Sequence, residues 1–328
     1  MTETVLRVED VKTHFVTGSG VVKAVDGVSF SVGKGETLGI VGESGCGKSM
    51  TALSILRMVP APAGRIVGGK VFLCGEDLLQ KSEKEMQTIR GSRISMILQD
   101  PMTSLDPLFT IGDQVAEPIR THSKTHALNV LARATEMLRL VKIPSPSARM
   151  SSYPHQMSGG MRQRIVAAIA LACEPELLIA DEPTTSLDVT TQAQLIALLK
   201  DIQQKLGVAM IVITHDFGVI SRICHRVAVM YAGRIVETAD VQTVFGAPSH
   251  PYTIALLKSL PRFGAGLERL HTIGGQPPDL RDLPKGCSFA PRCAHVMDIC
   301  TTEFPSQRDI GAGHTVCCHL AGPGRSAQ

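Results

Sequence analysis

The sequence predicts an α/β fold in which short apolar strands alternate with helices, and three observations carry that expectation. Thr37 to Val41 is a compact apolar run of strand length, followed at once by the glycine-rich octet Gly42-Glu43-Ser44-Gly45-Cys46-Gly47-Lys48-Ser49 and then by the helical run Met50 to Met58. Leu177 to Ala180 is a second apolar run, and it ends in the acids Asp181 and Glu182. Val208 to Thr214 is a third, ending at His215. Strand ends of this kind form the edge at which parallel α/β sheets bind ligands. With 328 residues, 44% of them hydrophobic, the chain can bury one large domain plus an appendage.

The first elements are read as short strands that open the α/β domain: Val5, Leu6 and Val8, then Val28, Phe30 and Val32. The strand, glycine loop and helix around Lys48 follow. Such a loop presents backbone N–H groups to a polyphosphate at the positive end of a helix, and glycine allows the required close approach. In that arrangement Lys48 reaches the β- and γ-phosphate oxygens and the Ser49 hydroxyl ligates magnesium. Cys46 lies inside the loop under a helix N-terminus, a position that lowers a thiol pKa. The simpler reading is that any small residue serves there.

Further along, Met157-Ser158-Gly159-Gly160-Met161-Arg162-Gln163-Arg164 precedes an apolar helical face of Ile165, Ala168, Ile169 and Ala172. Ser158 caps that helix and the glycines leave its N–H groups open, so it is either an ordinary N-cap or a second phosphate-gripping helix end. Asp181 is placed to hold magnesium through water, and Glu182 to polarise an attacking water as a base or orienting group. His215 reads as a donor to a γ-phosphate, although a lone histidine at a strand end is more often structural.

Composition excludes several classes. The longest apolar stretches fall far short of the roughly 20 residues that cross a bilayer. Met1 to Asp10 lacks the basic-then-apolar layout of a secretory signal. The expected compartment is therefore the cytosol. The 33 Lys and Arg against 30 Asp and Glu, a net +3, are scattered rather than blocked, which argues against nucleic acid as a partner. Nine cysteines are present, five of them between Cys287 and Cys318. In a reducing cytosol such clustering favours a metal site over disulfides. Cys287, Cys293, Cys300 and Cys318 contain no C-x-x-C pair, and their loose spacing suits a [4Fe–4S] cluster. Zinc and free thiols in a small packed lobe are the alternatives, and Cys317 is a substitute ligand for Cys318.

Taken together these motifs resemble those of ABC transporter ATPases, across roughly residues 4 to 260. The octet ending in Ser49 resembles the Walker A loop, with Met50 following it. Ser158, Gly159, Gly160 and Gln163 resemble the signature motif, and Leu177 to Glu182 the Walker B strand with its catalytic glutamate. Ser186-Leu187-Asp188 is similar to the D-loop, Gln99 to the Q-loop glutamine, and His215 to the switch histidine. The resemblance implies a P-loop, RecA-like ATPase core with antiparallel β and α-helical subdomains, the helical one at about residues 100–165. It implies catalytic roles for Glu182, His215 and Gln99, with magnesium held by Ser49, Gln99 and Asp181. ATP would lie between one chain's phosphate loop and the partner's Ser158 helix end, closing a head-to-tail dimer. An adenine-stacking aromatic is expected upstream, and Phe15 fills that place or is a plain core residue.

The segments Gln99-Asp100-Pro101-Met102-Thr103-Ser104-Leu105-Asp106-Pro107, Tyr153-Pro154-His155-Gln156 and His250-Pro251-Tyr252-Thr253 resemble the dipeptide/oligopeptide importer group, as does Gly274 to Cys293. That resemblance implies two domains, an ATPase over 1–260 and a C-terminal extension over 261–328. The implied partners are a second ATPase subunit in a heterodimer, two transmembrane permeases and an extracytoplasmic substrate-binding protein. The implied place is the cytoplasmic face of the bacterial inner membrane. The related importer ATPases also point to an iron–sulfur centre in the extension. Nickel or antimicrobial-peptide importers and non-transport ABC ATPases are the competing readings. A cohesin-like head needs long coiled coils, and ribosome-binding factors usually carry two cassettes; the sequence has neither.

Overall fold

The computed structural model describes residues 3–99, 104–123, 127–185, 187–260 and 272–321. Its main sheet has eight strands: β11 (Arg308–Asp309), β12 (Thr315–Val316) and β10 (Arg234–Asp240) lie along one side and lead into a parallel centre. The parallel centre is β3 (Thr37–Val41) between β9 (Arg226–Tyr231) and β8 (Ala209–Ile213), followed by β7 (Leu177–Asp181) and β6 (Ile94–Ile97). Every residue of β3, β7 and β8 is buried. A parallel strand covered on both faces reads as an unbroken apolar run, which is why these three were visible in the sequence. Alternate residues serve opposite cores. Leu177, Ile179, Ala209 and Ile211 face one, and Leu178, Ala180, Met210 and Val212 the other.

The opening strands differ from expectation. β1 (Thr4–Thr17) and β2 (Gly20–Gly33) are 14 residues each and form an antiparallel hairpin in which Thr17 pairs with Gly20. They join β4 (Gly64–Leu73) and β5 (Glu76–Asp77) in a separate four-stranded sheet, ordered β2-β1-β4-β5. Their one-sided alternation is the reason. Leu6, Val8, Val11, Val25, Val28 and Val32 are buried against Leu38 and Ile40, while the other face keeps exposed or half-buried residues such as Arg7 and Glu9. A sheet with one wet face is antiparallel by habit.

Between them lie α1 (Lys48–Ile55) and α2 (Glu83–Ile89), the latter started by a Ser82/Glu85 capping box. A helical unit follows, made of α3 (Ile111–His122), α4 (Ala127–Leu140), α5 (Pro146–Arg149) and α6 (Gly159–Leu171). Thr110 caps α3 through the Asp113 N–H at 3.1 Å, a contact worth about 1 kcal/mol. Val115, Ile119, Ala134, Leu138, Val166 and Ala170 form its core. The remaining helices of the sheet domain are α7 (Val189–Leu206), α8 (Phe217–Ile223), α9 (Val241–Gly246) and α10 (Pro251–Lys258).

The C-terminal residues carry a short turn of 3-10 helix (Ala290–Arg292), α11 (Asp298–Thr302), β11 (Arg308–Asp309) and β12 (Thr315–Val316). β12 pairs antiparallel with β10 (Arg234–Asp240), so the tail extends the main sheet. Glu237 anchors this seam. Its enclosed carboxylate accepts from His314 Nε2 at 2.7 Å, from the Ser249 N–H at 2.7 Å and from the His250 N–H at 3.0 Å. Burial pushes the Glu237 pKa up, but the hydrogen bonds outweigh it and the net shift is downward. Among the described residues no helix is long and apolar enough to cross a membrane.

Candidate functional site

Because β3, β7 and β8 run parallel, their C-terminal ends emerge together. Asp181 is in register with Ile213, and Ile213 with Ile40. The loop after β3, the acids after β7 and the histidine after β8 therefore share one edge. A cavity of about 540 Å³ opens there, lined by Ala24, Ser44, Gly45, Gly47, Lys48, Ser49, Met50, Gln99, Glu182 and His215. Sequence reading missed Ala24, which arrives from β2 of the other sheet.

Two of the loop glycines answer to the protein itself. A Cβ on Gly42 would stand 2.1 Å from the Met230 carbonyl oxygen, and one on Gly47 would stand 2.2 Å from that of Ala24 at a φ of 107°. Gly45 has open space beside it. Gly47 starts α1 with no side-chain cap and no acid in the first turn, leaving the helix N–H groups turned toward the cavity for an anion. The Lys48 ammonium donates to Gly42 O at 2.9 Å and Glu43 O at 3.1 Å.

Cys46 is 6% exposed, and burial pushes its thiol pKa up despite Lys48 nearby. The helix N-terminus does not make it a reactive thiolate; the side chain is enclosed in the loop, and its sulfur would stand 2.8 Å from a Cβ on Gly42, a further reason for glycine at that position.

The acids are held differently. Asp181 is 6% exposed and its pKa is raised, chiefly by burial, with the Ser49 hydroxyl hydrogen-bonded to it. Its Oδ1 is buried without a hydrogen-bond partner. A carboxylate oxygen left free beside a hydroxyl is a donor set that suits a hard divalent cation such as magnesium. Glu182 receives Gln99 Nε2 at 3.1 Å and Thr185 Oγ1 at 2.8 Å on Oε2, while His215 Nδ1 lies 3.3 Å from Oε1. Burial raises its pKa, but Thr185 and His215 overcome that and the net shift is downward.

Other sequence candidates lie elsewhere. Phe15 is half-buried, with its Cε1 edge against Gly64, and does not line the cavity. Ser158 caps α6 through the Met161 N–H at 3.3 Å, and a Cβ on Gly159 would meet nothing within 4 Å, so this helix end stands open. Gly160 faces Thr191 of α7. Gln163 is 1% exposed and enclosed within the fold, with both amide atoms unpartnered. Asp188 caps α7 through the Thr191 N–H at 3.0 Å. Asp100 to Thr103 and Ser186 lie outside the described residues.

Cys287, Cys293, Cys300 and Cys318 converge on a second, small cavity together with Phe289, Pro305, His250, His295 and His319. Burial, followed by the proximity of the other cysteines, pushes the Cys287 thiol up to about 11. Among the described residues no set of three or more His, Cys, Asp or Glu is arranged to hold a metal ion.

Comparison with known proteins follows the same outline. The profile of the ABC transporter family matches residues 25–185, and that of the oligopeptide/dipeptide transporter C-terminal region matches residues 236–300. A dipeptide transport ATP-binding protein of Bacillus subtilis is 50% identical over 318 residues, covering 97% of this chain and 95% of that one. Its Escherichia coli namesake is 46% identical, covering 96% of each. A solved dimeric ATP-binding cassette in a post-hydrolysis state with ADP and phosphate superimposes with a TM-score of 0.64 at 26% identity, covering 72% of this chain and 98% of that one. The chain belongs to the ABC transporter family, as an ATP-binding subunit carrying the oligopeptide/dipeptide transporter C-terminal region.

Proposed function

We propose that this chain is the ATP-hydrolysing subunit of an importer that takes up di- and oligopeptides across the bacterial inner membrane, working from its cytoplasmic face. The observation that carries the reading is the cavity in which Lys48, Ser49, Gln99, Glu182 and His215 meet, within a chain alike over nearly its whole length to dipeptide transport ATP-binding proteins. The chain divides into an ATPase domain over 1–260 and an extension over 261–328. Its partners are a second ATPase subunit in a heterodimer, two permeases and an extracytoplasmic substrate-binding protein.

The residues divide the work by chemistry. The loop N–H groups and Lys48 hold the β- and γ-phosphates. Ser49, Asp181 and Gln99 would hold magnesium, which supplies charge neutralisation on the phosphates. Glu182, ionised and steadied by Gln99, Thr185 and His215, orients and deprotonates the attacking water. His215 then donates to the γ-phosphate. The partner's Ser158, Gly159 and Gly160 close the site from the far side.

In the extension, Cys287, Cys293, Cys300 and Cys318 would hold an iron–sulfur cluster. The convergence of the four thiols on one small cavity supports that reading, with zinc as the alternative group. The cluster's contribution there is structural, tying together a tail with little core of its own.

Uptake of labelled di- and oligopeptides by cells lacking the gene, and by the same cells with it restored, tests the function. Restoration of uptake together with ATP hydrolysis by the purified complex is expected. Restored nickel uptake without peptide uptake reassigns the substrate.

A further inference from the structure

The phosphate loop is gripped from outside the cassette motifs. Arg292, in the cysteine-rich tail, forms a two-point pair with Glu43, the second residue of the loop: Nη1 to Oε2 at 2.8 Å and Nη2 to Oε1 at 2.9 Å. The Arg292 side chain is only 4% exposed. Its remaining donors are spent on the Gly274 carbonyl through Nε at 2.9 Å, the Tyr231 hydroxyl at 3.2 Å and the Ile273 carbonyl at 3.4 Å. The guanidinium lies over the edge of the aromatic cluster of Tyr231 and Phe289. Tyr252, in the same cluster and fully buried, accepts the Glu43 N–H on its hydroxyl at 2.9 Å. Glu43 is thus held at three points, because its carbonyl is also one of the two acceptors that place the Lys48 ammonium.

We propose that Arg292 is a positioning residue for the phosphate loop, neutralising the Glu43 carboxylate and fixing the loop backbone so that a triphosphate binds. This rests on the nucleotide-binding reading given above. The electrostatic reason is direct: a bare carboxylate at the loop's second position repels a polyanion, whereas a bidentate guanidinium cancels it and leaves a planar, pre-set fork. Lysine carries the charge but not the fork. The C-terminal tail therefore belongs to the outer wall of the nucleotide site.

The test uses the complex purified in detergent with its permeases and partner ATPase, reading ATPase kinetics and the affinity for a fluorescent ATP analogue. Arg292→Gln is expected to raise KM for ATP about tenfold and weaken analogue binding in parallel, with kcat changed less than about threefold. Arg292→Lys is expected to raise KM about threefold. The discriminating variant is the double Arg292→Gln with Glu43→Gln. Removing the repelling carboxylate is expected to lower KM back toward wild type, a rescue that mere packing of the tail by Arg292 would not produce. Unchanged KM in folded Arg292→Gln, or no relief from Glu43→Gln, overturns the proposal. Should Arg292→Gln fail to fold, the same comparison is made on Arg292→Met, which keeps an apolar stem without the charge, and there unchanged KM or absent relief overturns it equally. Wild-type complex that binds no ATP overturns the nucleotide reading itself; normal wild-type binding with an indifferent Arg292 variant overturns only the positioning role.

Discussion

His215 Nδ1 lies 3.3 Å from Glu182 Oε1, joining the ends of two adjacent parallel strands across the mouth of the cavity that Lys48 and Ser49 line. The other oxygen of the same carboxylate receives Gln99 and Thr185. One acid is thereby fixed from its own turn and from the ends of two other strands, and its lowered pKa keeps it ionised at neutral pH. That is the state a water-activating base requires.

Glu182→Gln is expected to keep ATP binding while cutting turnover at least about 100-fold, the range lost with a general base. It should also trap a closed dimer with MgATP, seen as a shift in size-exclusion elution. Phosphate release at the wild-type rate would assign the chemistry to another residue.

Lys48→Ala removes a donor from both the Gly42 and Glu43 carbonyls as well as the phosphate contact proposed for it. Loss of more than about tenfold in ATP affinity is expected, since a charge-assisted contact contributes about 1.5–3 kcal/mol. Equilibrium binding of a fluorescent ATP analogue measures it, and retained affinity would contradict the role.

Ser158→Ala should act at a distance. In a heterodimer it is expected to damage the ATP site built on the partner's phosphate loop and spare the site on this chain's own. Photo-crosslinking of an azido-ATP to each subunit separates the two. Its cap on α6 adds a local stability loss of about 1 kcal/mol, visible as a small fall in Tm.

Asp26→Asn should destabilise the fold in a pH-dependent way. Asp26 is 8% exposed and pairs with Arg234 at 2.7 Å, with His14 Nε2 3.7 Å from its other oxygen. Burial alone raises its pKa, but Arg234 wins and the folded-state value lies below 3.8. A depressed carboxylate stabilises the fold above its unfolded pKa, and that stability fades as pH falls through the folded one. Wild type should therefore exceed Asp26→Asn by about 2 kcal/mol near neutrality. The gap should close as pH drops below about 4. Denaturant melts at several pH values report it, and a gap independent of pH would contradict the pairing.

Anaerobically purified protein is expected to be brown, and Cys293→Ser to bleach it. Iron, sulfide and zinc analysis on the same samples decides the group, with equimolar zinc and no iron reassigning the four-cysteine cavity. Since Ala290–Arg292 lies between Cys287 and Cys293, the same variant reports whether the tail keeps its grip on Glu43.

The chain's own order of residues determined the parallel core strands, the glycine loop with its helix, and the site where Ser158 caps a helix. These depend on neighbours a few positions apart: an unbroken apolar run, a glycine before a helix, a serine three residues ahead of an open N–H. The length and partners of β1 and β2 were less legible, because a one-faced alternation does not say which sheet it joins. Tertiary structure alone decided that Arg292 meets Glu43 across 249 positions and that Asp26 meets Arg234 across 208. Contacts of that span are created by the crossovers of the sheet and the return of the tail to its edge, so no local pattern encodes them.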